Sequence, residues 1–185
     1  MRITSGTFRG RVLKTPKGEA TRPTSGLARE TLFNILARDI PDARVLDLFA
    51  GSGSVGLEAL SRGAAHAVFV EKARPALACL RENIVALGVA GRVAVLPLPV
   101  DRALDNLARA GETFDLIFLD PPFADAEACA RTLTAVADTC LLAHDGHLVA
   151  QHDARLPLSE RAGKLERYRL QKIGDNALSF WRAAA

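Results

Sequence analysis

Short apolar runs alternate with amphipathic segments through most of the chain. The runs have the length and composition of buried strands, and they occupy residues 45–49, 67–71, 93–96, 114–119 and 146–151. The segments between them repeat apolar residues at helical spacing, and they occupy residues 54–62, 74–87, 102–110 and part of 126–142. Buried strands that alternate with helices predict a mostly parallel sheet with helices on both faces, which binds its ligands at the carboxyl ends of the strands.

Both ends of the chain depart from this alternation. Residues 165–172 and 177–182 are extended segments around a Gly-Asp-Asn turn, which predicts an antiparallel hairpin at one edge of a seven-stranded sheet. At the other end, residues 2–4 and 11–14 predict a small hairpin, and a helix begins after Thr24 or Ser25 and runs to about residue 37. We therefore expect a basic arm over residues 1–23 and an α/β domain over residues 24–185.

Composition fits a globular protein and excludes several other classes. The 185 residues are 49% hydrophobic and 24% charged, which allows one sizeable core and argues against disorder. No apolar run approaches the roughly 18–20 residues of a membrane span, and the first residues lack a signal-peptide stretch, so we expect a cytoplasmic protein. The three cysteines include no C-x-x-C pair, so neither a disulfide framework nor a metal site is indicated.

Positive charge is concentrated at the start of the chain. Residues 1–29 carry seven basic side chains against one acidic side chain, whereas the remainder has more acidic than basic groups. The basic side chains are Arg2, Arg9, Arg11, Lys14, Lys17, Arg22 and Arg29. Such a segment either binds a polyanion such as a nucleic acid or is a solvated arm that improves solubility, and charge alone does not distinguish the two.

A glycine-rich turn follows the first predicted strand. Gly51, Gly53 and Gly56 satisfy G-x-G-x-x-G at the start of a helix, and Glu71 ends the next strand. This arrangement lets the backbone approach a nucleoside cofactor closely, while the carboxylate accepts hydrogen bonds from both ribose hydroxyls. Asp47 lies directly before the glycines, where it would repel the diphosphate of a dinucleotide. A phosphate-free cofactor with a cationic end, such as S-adenosylmethionine, fits this position better.

The fourth predicted strand ends in the sequence Asp120-Pro121-Pro122-Phe123. The two prolines hold the Asp120 carboxylate and the Pro121 carbonyl rigidly at the edge of the sheet. Both groups accept hydrogen bonds without donating, so they suit the two N–H groups of an exocyclic amino group on a base. The Phe123 ring offers a stacking platform for a base that has been flipped out of its stack. The motif therefore predicts chemistry on an amino group.

These motifs resemble known patterns. Residues 47–53 resemble motif I of the class I methyltransferases, and residues 120–123 look like the (Asp/Asn)-Pro-Pro-(Tyr/Phe) motif of amino-group methyltransferases. With the arm included, the chain through about residue 123 resembles the family that methylates N2 of guanine-966 in 16S small-subunit ribosomal RNA. Two positions depart from the family pattern: Gly26 replaces an expected acidic residue, and residues 96–101 are an unusual version of the segment that flanks adenine.

The resemblance implies a Rossmann-like class I methyltransferase fold that uses S-adenosylmethionine and no metal. It implies that the cofactor is bound by Asp47 near the methionine end, by Phe49, Gly51 and Gly53 in the cradle, by Glu71 at the ribose, by Asp101 at adenine, and by Thr24 or Ser25 at the carboxylate. It implies catalysis by Asp120, Pro121, Pro122 and Phe123, and phosphate contacts by Arg9, Arg11, Lys14, Lys17 and Arg22. The expected partner is small-subunit ribosomal RNA, in a 30S subunit or an assembly intermediate, and the expected state is a monomer.

Three other functions remain open from the residues. The first is amino-group methylation of another acceptor, such as adenine N6 in a nucleic acid or a protein glutamine, although Asp rather than Asn at position 120 disfavours both. The second is a NAD-dependent oxidoreductase, which the glycines and Glu71 allow but which leaves Asp47 and the Asp120 motif without a role. The third is an RNA-binding module without catalysis, which would bind RNA and show no affinity for the cofactor.

Overall fold

The computed structural model describes residues 1–16, 26–121 and 126–184. The α-helices in these ranges are α1 (Gly26–Ile35), α2 (Ser54–Ser61), α3 (Arg74–Leu87), α4 (Val100–Arg109) and α5 (Ala126–Ala137). The strands are β1 (Arg44–Leu48), β2 (His66–Val70), β3 (Val93–Leu96), β4 (Phe114–Leu119), β5 (Leu142–Asp153), β6 (Arg161–Ala162), β7 (Leu165–Ile173) and β8 (Asn176–Ala183). The predicted strands and helices of the α/β region are confirmed, and the largest difference is at β5, which begins earlier than residue 146.

The strands join one sheet in the order β3-β2-β1-β4-β5-β8-β7-β6. The strands β1 to β5 pair in parallel, whereas β8 is antiparallel to β5 and β7 is antiparallel to β8, which confirms the predicted C-terminal hairpin. The structure adds one strand to the seven predicted, because β6 pairs with β7 at the edge. β6 is only two residues long and has no alternation of apolar and polar positions that a sequence could display.

The central strand β1 lies where the strand order reverses, with β2 on one side and β4 on the other. In α/β sheets, ligands bind in the crevice at the carboxyl ends of such strands. The chain leaves β1 at Phe49, β2 at Glu71 and β4 at Asp120. The residues predicted for cofactor binding and catalysis therefore meet at one edge of the sheet.

Apolar side chains form a core on each face of the sheet. The helices α1, α2 and α3 cover the first face, and α4 and α5 cover the second, where Trp181 of β8 is fully enclosed. Successive side chains of a strand point to opposite faces, so Phe118 belongs to the first core and Leu119 to the second. Burial on both faces explains why most residues of β1, β2 and β4 are apolar. Within the described ranges, no helix combines the length and the apolar character needed to cross a membrane.

The first sixteen residues form the predicted hairpin and pack on the first face of the sheet. Arg2 and Val12 form an antiparallel bridge, and Ile3 is buried in the first core. Gly6, with a φ of 80°, lies so close to α2 that a Cβ there would stand 1.8 Å from the carbonyl oxygen of Ser61. Only glycine allows this approach, so the arm is fitted to the surface of α2.

A buried carboxylate holds the arm in place. Glu58 of α2 is fully buried and accepts hydrogen bonds from the amide and hydroxyl of Thr4 at 2.9 and 2.7 Å, and from the amide of Ser5 at 3.0 Å. The guanidinium groups of Arg29 and Arg62 complete its environment. Burial raises the pKa of Glu58, but these hydrogen bonds and positive charges outweigh it, so the pKa lies below its usual value and the carboxylate is ionised.

Arg29 corrects the predicted basic surface. Its side chain is buried, and Nη2 donates to the carbonyl of Arg2 at 2.6 Å while Nε faces Glu58. The charge of Arg29 therefore neutralises a carboxylate inside the protein and does not face a polyanion.

Candidate active site

The glycine loop joins β1 to α2, and its glycines are needed for different reasons. Gly51 has a φ of 56° and nothing within 4 Å of the place where a Cβ would stand, so its outer side is open to a ligand. At Gly53, with a φ of 86°, a Cβ would lie 2.4 Å from the side chain of Leu80. At Gly56 it would lie 2.3 Å from Phe69, so this glycine lets α2 pack closely on β2. Of the two predicted cofactor glycines, Gly51 faces open space and Gly53 faces the protein.

Phe49 turns the chain out of β1 with a φ of 61°, a left-handed conformation that residues other than glycine rarely adopt. Its side chain is half-buried and packs against the second core. The next amide, that of Ala50, donates to the carbonyl of Val70 at 2.9 Å and ties the turn to the end of β2. Strain of this kind costs about 1–3 kcal/mol and persists only where the surroundings enforce it. Packing therefore fixes the entrance to the glycine loop.

Glu71 lies beside this loop and binds its backbone directly. One carboxylate oxygen accepts a hydrogen bond from the amide of Gly51 at 2.8 Å, and the other accepts one from the amide of Ala73 at 2.7 Å. The Glu71 carboxylate, which is predicted to bind the ribose, is thus fixed in orientation at the rim of the open space over Gly51. This second task, holding the glycine loop against β2, was not predicted from the sequence.

Asp47 is a buried carboxylate within β1, beneath the loop. It accepts a hydrogen bond from the amide of Gly56 at 2.9 Å. Burial raises the pKa of Asp47 to about 7; the Gly56 hydrogen bond opposes this shift, and the negative charges of Asp120 and Glu71 add to it. Near neutral pH, a nearby positive charge would convert the neutral acid to a carboxylate.

Asp120 and Pro121 directly follow β4, which pairs with β1 up to the last residue of both strands. Asp120 is half-buried and Pro121 is buried. The amide nitrogen of Gln151, on the neighbouring strand β5, donates to Oδ2 of Asp120 at 3.4 Å. Gln151 was not singled out in the sequence, because nothing in the predicted strand over residues 146–151 indicated a role for it. Asp120 therefore lies between the end of β1 and a buried amide of β5.

Three predicted RNA-binding residues lie in the described part of the arm, and they differ in how exposed their charges are. Arg9 is exposed, and within the described ranges its side chain makes no hydrogen bond or ion pair. Arg11 donates from Nη2 to the carbonyl of Ala86 in α3 at 2.7 Å. Lys14 forms an exposed ion pair with Glu82. Arg9 is therefore the side chain of the three that is best placed to meet a phosphate.

Asn83 connects the arm to the glycine loop and was missed by the sequence reasoning. This buried side chain of α3 accepts from the amide of Lys14 at 2.8 Å, and its amide nitrogen donates to the carbonyls of Lys14 and Ser52, both at 3.0 Å. A polar residue on the apolar side of a helix is the only signal that the sequence offers for it. Through Asn83 the arm and the cofactor loop share one buried contact.

The remaining predicted residues are placed as follows. Asp101 is exposed in the first turn of α4. The predictions for Lys17, Arg22, Thr24, Ser25, Pro122 and Phe123 lie outside the described residues. Among the residues that are described, no group of three or more His, Cys, Asp or Glu side chains is arranged to hold a metal ion.

Three carboxylates converge at the edge of the sheet, those of Asp47, Glu71 and Asp120, and their charges are close enough to act on one another. Such a set attracts a cationic ligand and repels phosphates. The open space over Gly51 lets a ligand reach the backbone. Both features fit a nucleoside with a sulfonium and an amino group. The fold and the site together define a class I S-adenosylmethionine-dependent methyltransferase.

Comparison with known proteins identifies the family. The chain belongs to the family described as Conserved hypothetical protein 95, whose model matches residues 1–182. It is 36% identical over 182 residues, 98% of both chains, to YlbH of Bacillus subtilis, which is named as a candidate rRNA methyltransferase. It is 46% identical over 123 residues to Ribosomal RNA small subunit methyltransferase D of Escherichia coli, a match covering 66% of this chain and 60% of that protein. The solved structure of yhhF of Escherichia coli, described as a candidate methyltransferase, has a TM-score of 0.84 at 32% identity and covers 100% of this chain and 98% of its own.

Proposed function

We propose that the protein transfers a methyl group from S-adenosylmethionine to the N2 amino group of guanine-966 in 16S small-subunit ribosomal RNA. The observation that carries the proposal is the position of Asp120 and Pro121, at the carboxyl end of β4 beside Asp47 and the glycine loop. Two relatives, at 36% and 46% identity, carry names that refer to ribosomal RNA methylation, and these names support the substrate class.

The chemistry requires little more than positioning. S-adenosylmethionine supplies a methyl group that its sulfonium makes electrophilic. Guanine N2 is a poor nucleophile, because its lone pair is delocalised into the ring. The Asp120 carboxylate and the Pro121 carbonyl accept its two N–H groups, which orients the lone pair along the line of attack and stabilises the positive charge that develops on nitrogen. The bond from sulfur to the methyl carbon would break as the bond to N2 forms, and sulfur would keep the electron pair as a neutral thioether. The nitrogen then passes one proton to the Asp120 carboxylate or to water, and the product is N2-methylguanine.

The residues around the glycine loop bind the cofactor. Glu71 accepts hydrogen bonds from the ribose hydroxyls with the lone pairs that Gly51 and Ala73 leave available. Asp47 attracts the cationic methionine end, and Phe49 shapes the entrance to the loop. In the same scheme, Asp101 contacts adenine and Thr24 binds the cofactor carboxylate.

The arm contributes affinity for RNA. Arg9, Arg11 and Lys14, together with Lys17 and Arg22, bind phosphates, which gives salt-dependent affinity without sequence preference. The shape of the RNA and the extruded base supply specificity. We propose that the substrate is small-subunit RNA within an assembly intermediate, and that the enzyme acts in the cytoplasm as a monomer without a metal.

The test is transfer of labelled methyl from S-adenosylmethionine to unmethylated small-subunit RNA and to partly assembled subunits, followed by nucleoside mass spectrometry. Native protein should form N2-methylguanosine. Asp120→Ala should lower the rate at least about 100-fold with cofactor binding retained. Asp105→Ala, which removes an exposed carboxylate from α4, is the matched control and should leave the rate unchanged. If the product were N6-methyladenosine, the substrate would be adenine and not guanine. Transfer to protein alone would contradict the proposal that RNA is the acceptor.

A further inference from the structure

Gln151 lies next to the catalytic carboxylate on the neighbouring strand. β4 and β5 pair in parallel with Leu119 opposite Ala150, so Asp120 and Gln151 are the next residues along the two strands. Both side chains point to the first face of the sheet, because Leu119 and Ala150 point to the second. Gln151 is 4% exposed, so its amide is buried.

The orientation of the Gln151 amide follows from its partner. A carboxylate only accepts hydrogen bonds, so the nitrogen of the amide must face Asp120, and Nε2 lies 3.4 Å from Oδ2. The oxygen Oε1 is consequently turned away from Asp120. It is buried, and nothing in the described part of the chain donates a hydrogen bond to it. A buried acceptor without a donor costs free energy unless a ligand satisfies it.

We propose that Oε1 of Gln151 accepts the N1–H of the target guanine and is the group that distinguishes guanine from other bases with an amino group. This assignment rests on the proposed function. The N1–H and the N2 amino group are adjacent on the Watson–Crick edge of guanine, and both donate. In this assignment the buried oxygen of Gln151 accepts the N1–H and the carboxylate of Asp120 accepts from the N2 amino group. Adenine, whose N1 is an acceptor, would place a lone pair against Oε1 and leave it unsatisfied.

Asp120 has a second role in this arrangement, because it fixes the amide so that the oxygen is presented. With Asn at position 120, the Gln151 amide could turn either way. An acidic residue before the prolines therefore favours a target base that donates a hydrogen bond from N1.

The test uses target-site base analogues and one variant. The guanine in unmethylated small-subunit RNA is replaced by 2,6-diaminopurine, which keeps the 2-amino group but has no N1–H, or by 6-thioguanine, which keeps N1–H. Single-turnover methyl transfer is measured with native protein and with Gln151→Met, which preserves the volume of the side chain and removes its polar atoms. For each protein, the rate with one base is divided by the rate with another. Comparing this ratio between native protein and Gln151→Met cancels the intrinsic reactivities of the bases.

Native protein should prefer guanine and 6-thioguanine to 2,6-diaminopurine by about tenfold or more. Gln151→Met should slow transfer to guanine and 6-thioguanine about tenfold and leave the rate with 2,6-diaminopurine nearly unchanged. Equal slowing with all three bases would reduce Gln151 to a support of Asp120 and overturn the proposal. A 6-thioguanine rate that follows 2,6-diaminopurine would shift the contact from N1–H to O6 and also overturn it.

Two observations keep the outcome unambiguous. The base preference of the native protein needs no variant, so absence of that preference refutes the assignment even if Gln151→Met does not fold. If native protein methylates none of the bases at N2 in unmethylated RNA or partly assembled subunits, the proposed function itself fails, which is distinct from methylation without discrimination.

Discussion

The Nε atom of Arg29 lies 3.3 Å from Oε2 of Glu58, and both side chains are withdrawn from solvent. Arg29 belongs to α1 and Glu58 to α2, and the same carboxylate binds the backbone of Thr4 in the arm. The pair therefore joins three separate segments of the chain at one point behind the glycine loop.

Replacing Glu58 with Gln should destabilise the protein strongly. The variant keeps the shape of the side chain but leaves the Arg29 charge buried without a negative partner, which typically costs about 3–5 kcal/mol. Urea unfolding at pH 7 measures the loss. Glu127→Gln is the matched control, because Glu127 pairs with Arg131 on the exposed surface of α5 and should change stability by less than about 0.5 kcal/mol. Equal losses in the two variants would contradict the role of the buried pair.

Asp47→Asn should make the free protein more stable at pH 8. Burial raises the pKa of Asp47 from 3.8 to about 7 in the folded state. The unfolded chain releases this proton near pH 4 and the folded protein keeps it until about pH 7, so native stability falls as the pH rises between these values. Asparagine has no such proton and still accepts the Gly56 hydrogen bond. Urea unfolding at pH 5 and pH 8 should show an advantage for the variant that grows with pH; an advantage independent of pH would refute the shift.

The same residue should make cofactor affinity depend on pH. A cationic ligand favours the ionised form of Asp47, so binding below pH 7 must release a proton, and affinity falls by up to about tenfold for each pH unit. Asp47→Asn should bind S-adenosylmethionine more weakly at pH 8 and lose this part of the pH dependence. Calorimetry in buffers of different ionisation enthalpy counts the released protons. If native protein and Asp47→Asn released the same number of protons on binding, the protons would come from a group other than Asp47.

Asn83→Leu should loosen the arm and the glycine loop together. The substitution leaves the amide of Lys14 and the carbonyl of Ser52 without their partner, at a cost of about 2–3 kcal/mol. Hydrogen exchange should show faster exchange at the Lys14 amide, and calorimetry should show weaker cofactor binding. Asn106→Leu, on the exposed side of α4, is the control and should change neither quantity. Faster exchange without weaker cofactor binding would show that the arm and the loop are independent.

Arg9 should contribute more to RNA binding than Lys14. Arg9 is exposed, whereas the charge of Lys14 is already paired with Glu82. In a plot of log affinity against log salt, Arg9→Ala should reduce the slope by about 0.7, the value for one contact to single-stranded phosphate, and Lys14→Ala should reduce it less. Arg109→Ala, which removes an exposed arginine from α4, serves as the control. Identical slopes for Arg9→Ala and native protein would remove Arg9 from the RNA interface.

The sequence predicted the sheet because most positions of β1, β2 and β4 are buried on both faces and are therefore apolar. Strands β3 and β4 have the predicted bounds. It also placed Asp47, Glu71 and Asp120 at or near the ends of three predicted strands, and the structure brings them together because parallel strands end at the same edge. The two-residue strand β6 could not be predicted, because it is shorter than any periodic pattern.

The polar contacts that support the site escaped prediction for a different reason. Glu58, Asn83 and Gln151 are buried, but their partners are distant in sequence or lie on a neighbouring strand. A carboxylate in the middle of α2, whose eight residues are all buried, does signal a buried ion pair. Even with this signal, the sequence would not identify the partner of Glu58, because the pairing is set by how the helices pack.

The arm is synthesised before the residues of α2 and α3 to which it binds. The hydrogen-bond partners of the arm lie far along the chain. Thr4 binds Glu58, 54 residues later, and Lys14 binds Asn83, 69 residues later. Arg11 binds the carbonyl of Ala86, 75 residues later. During translation the basic hairpin therefore emerges without its partners and docks only once α2 and α3 have been synthesised. A ribosome stalled before α3 would carry a nascent chain whose basic hairpin is still undocked.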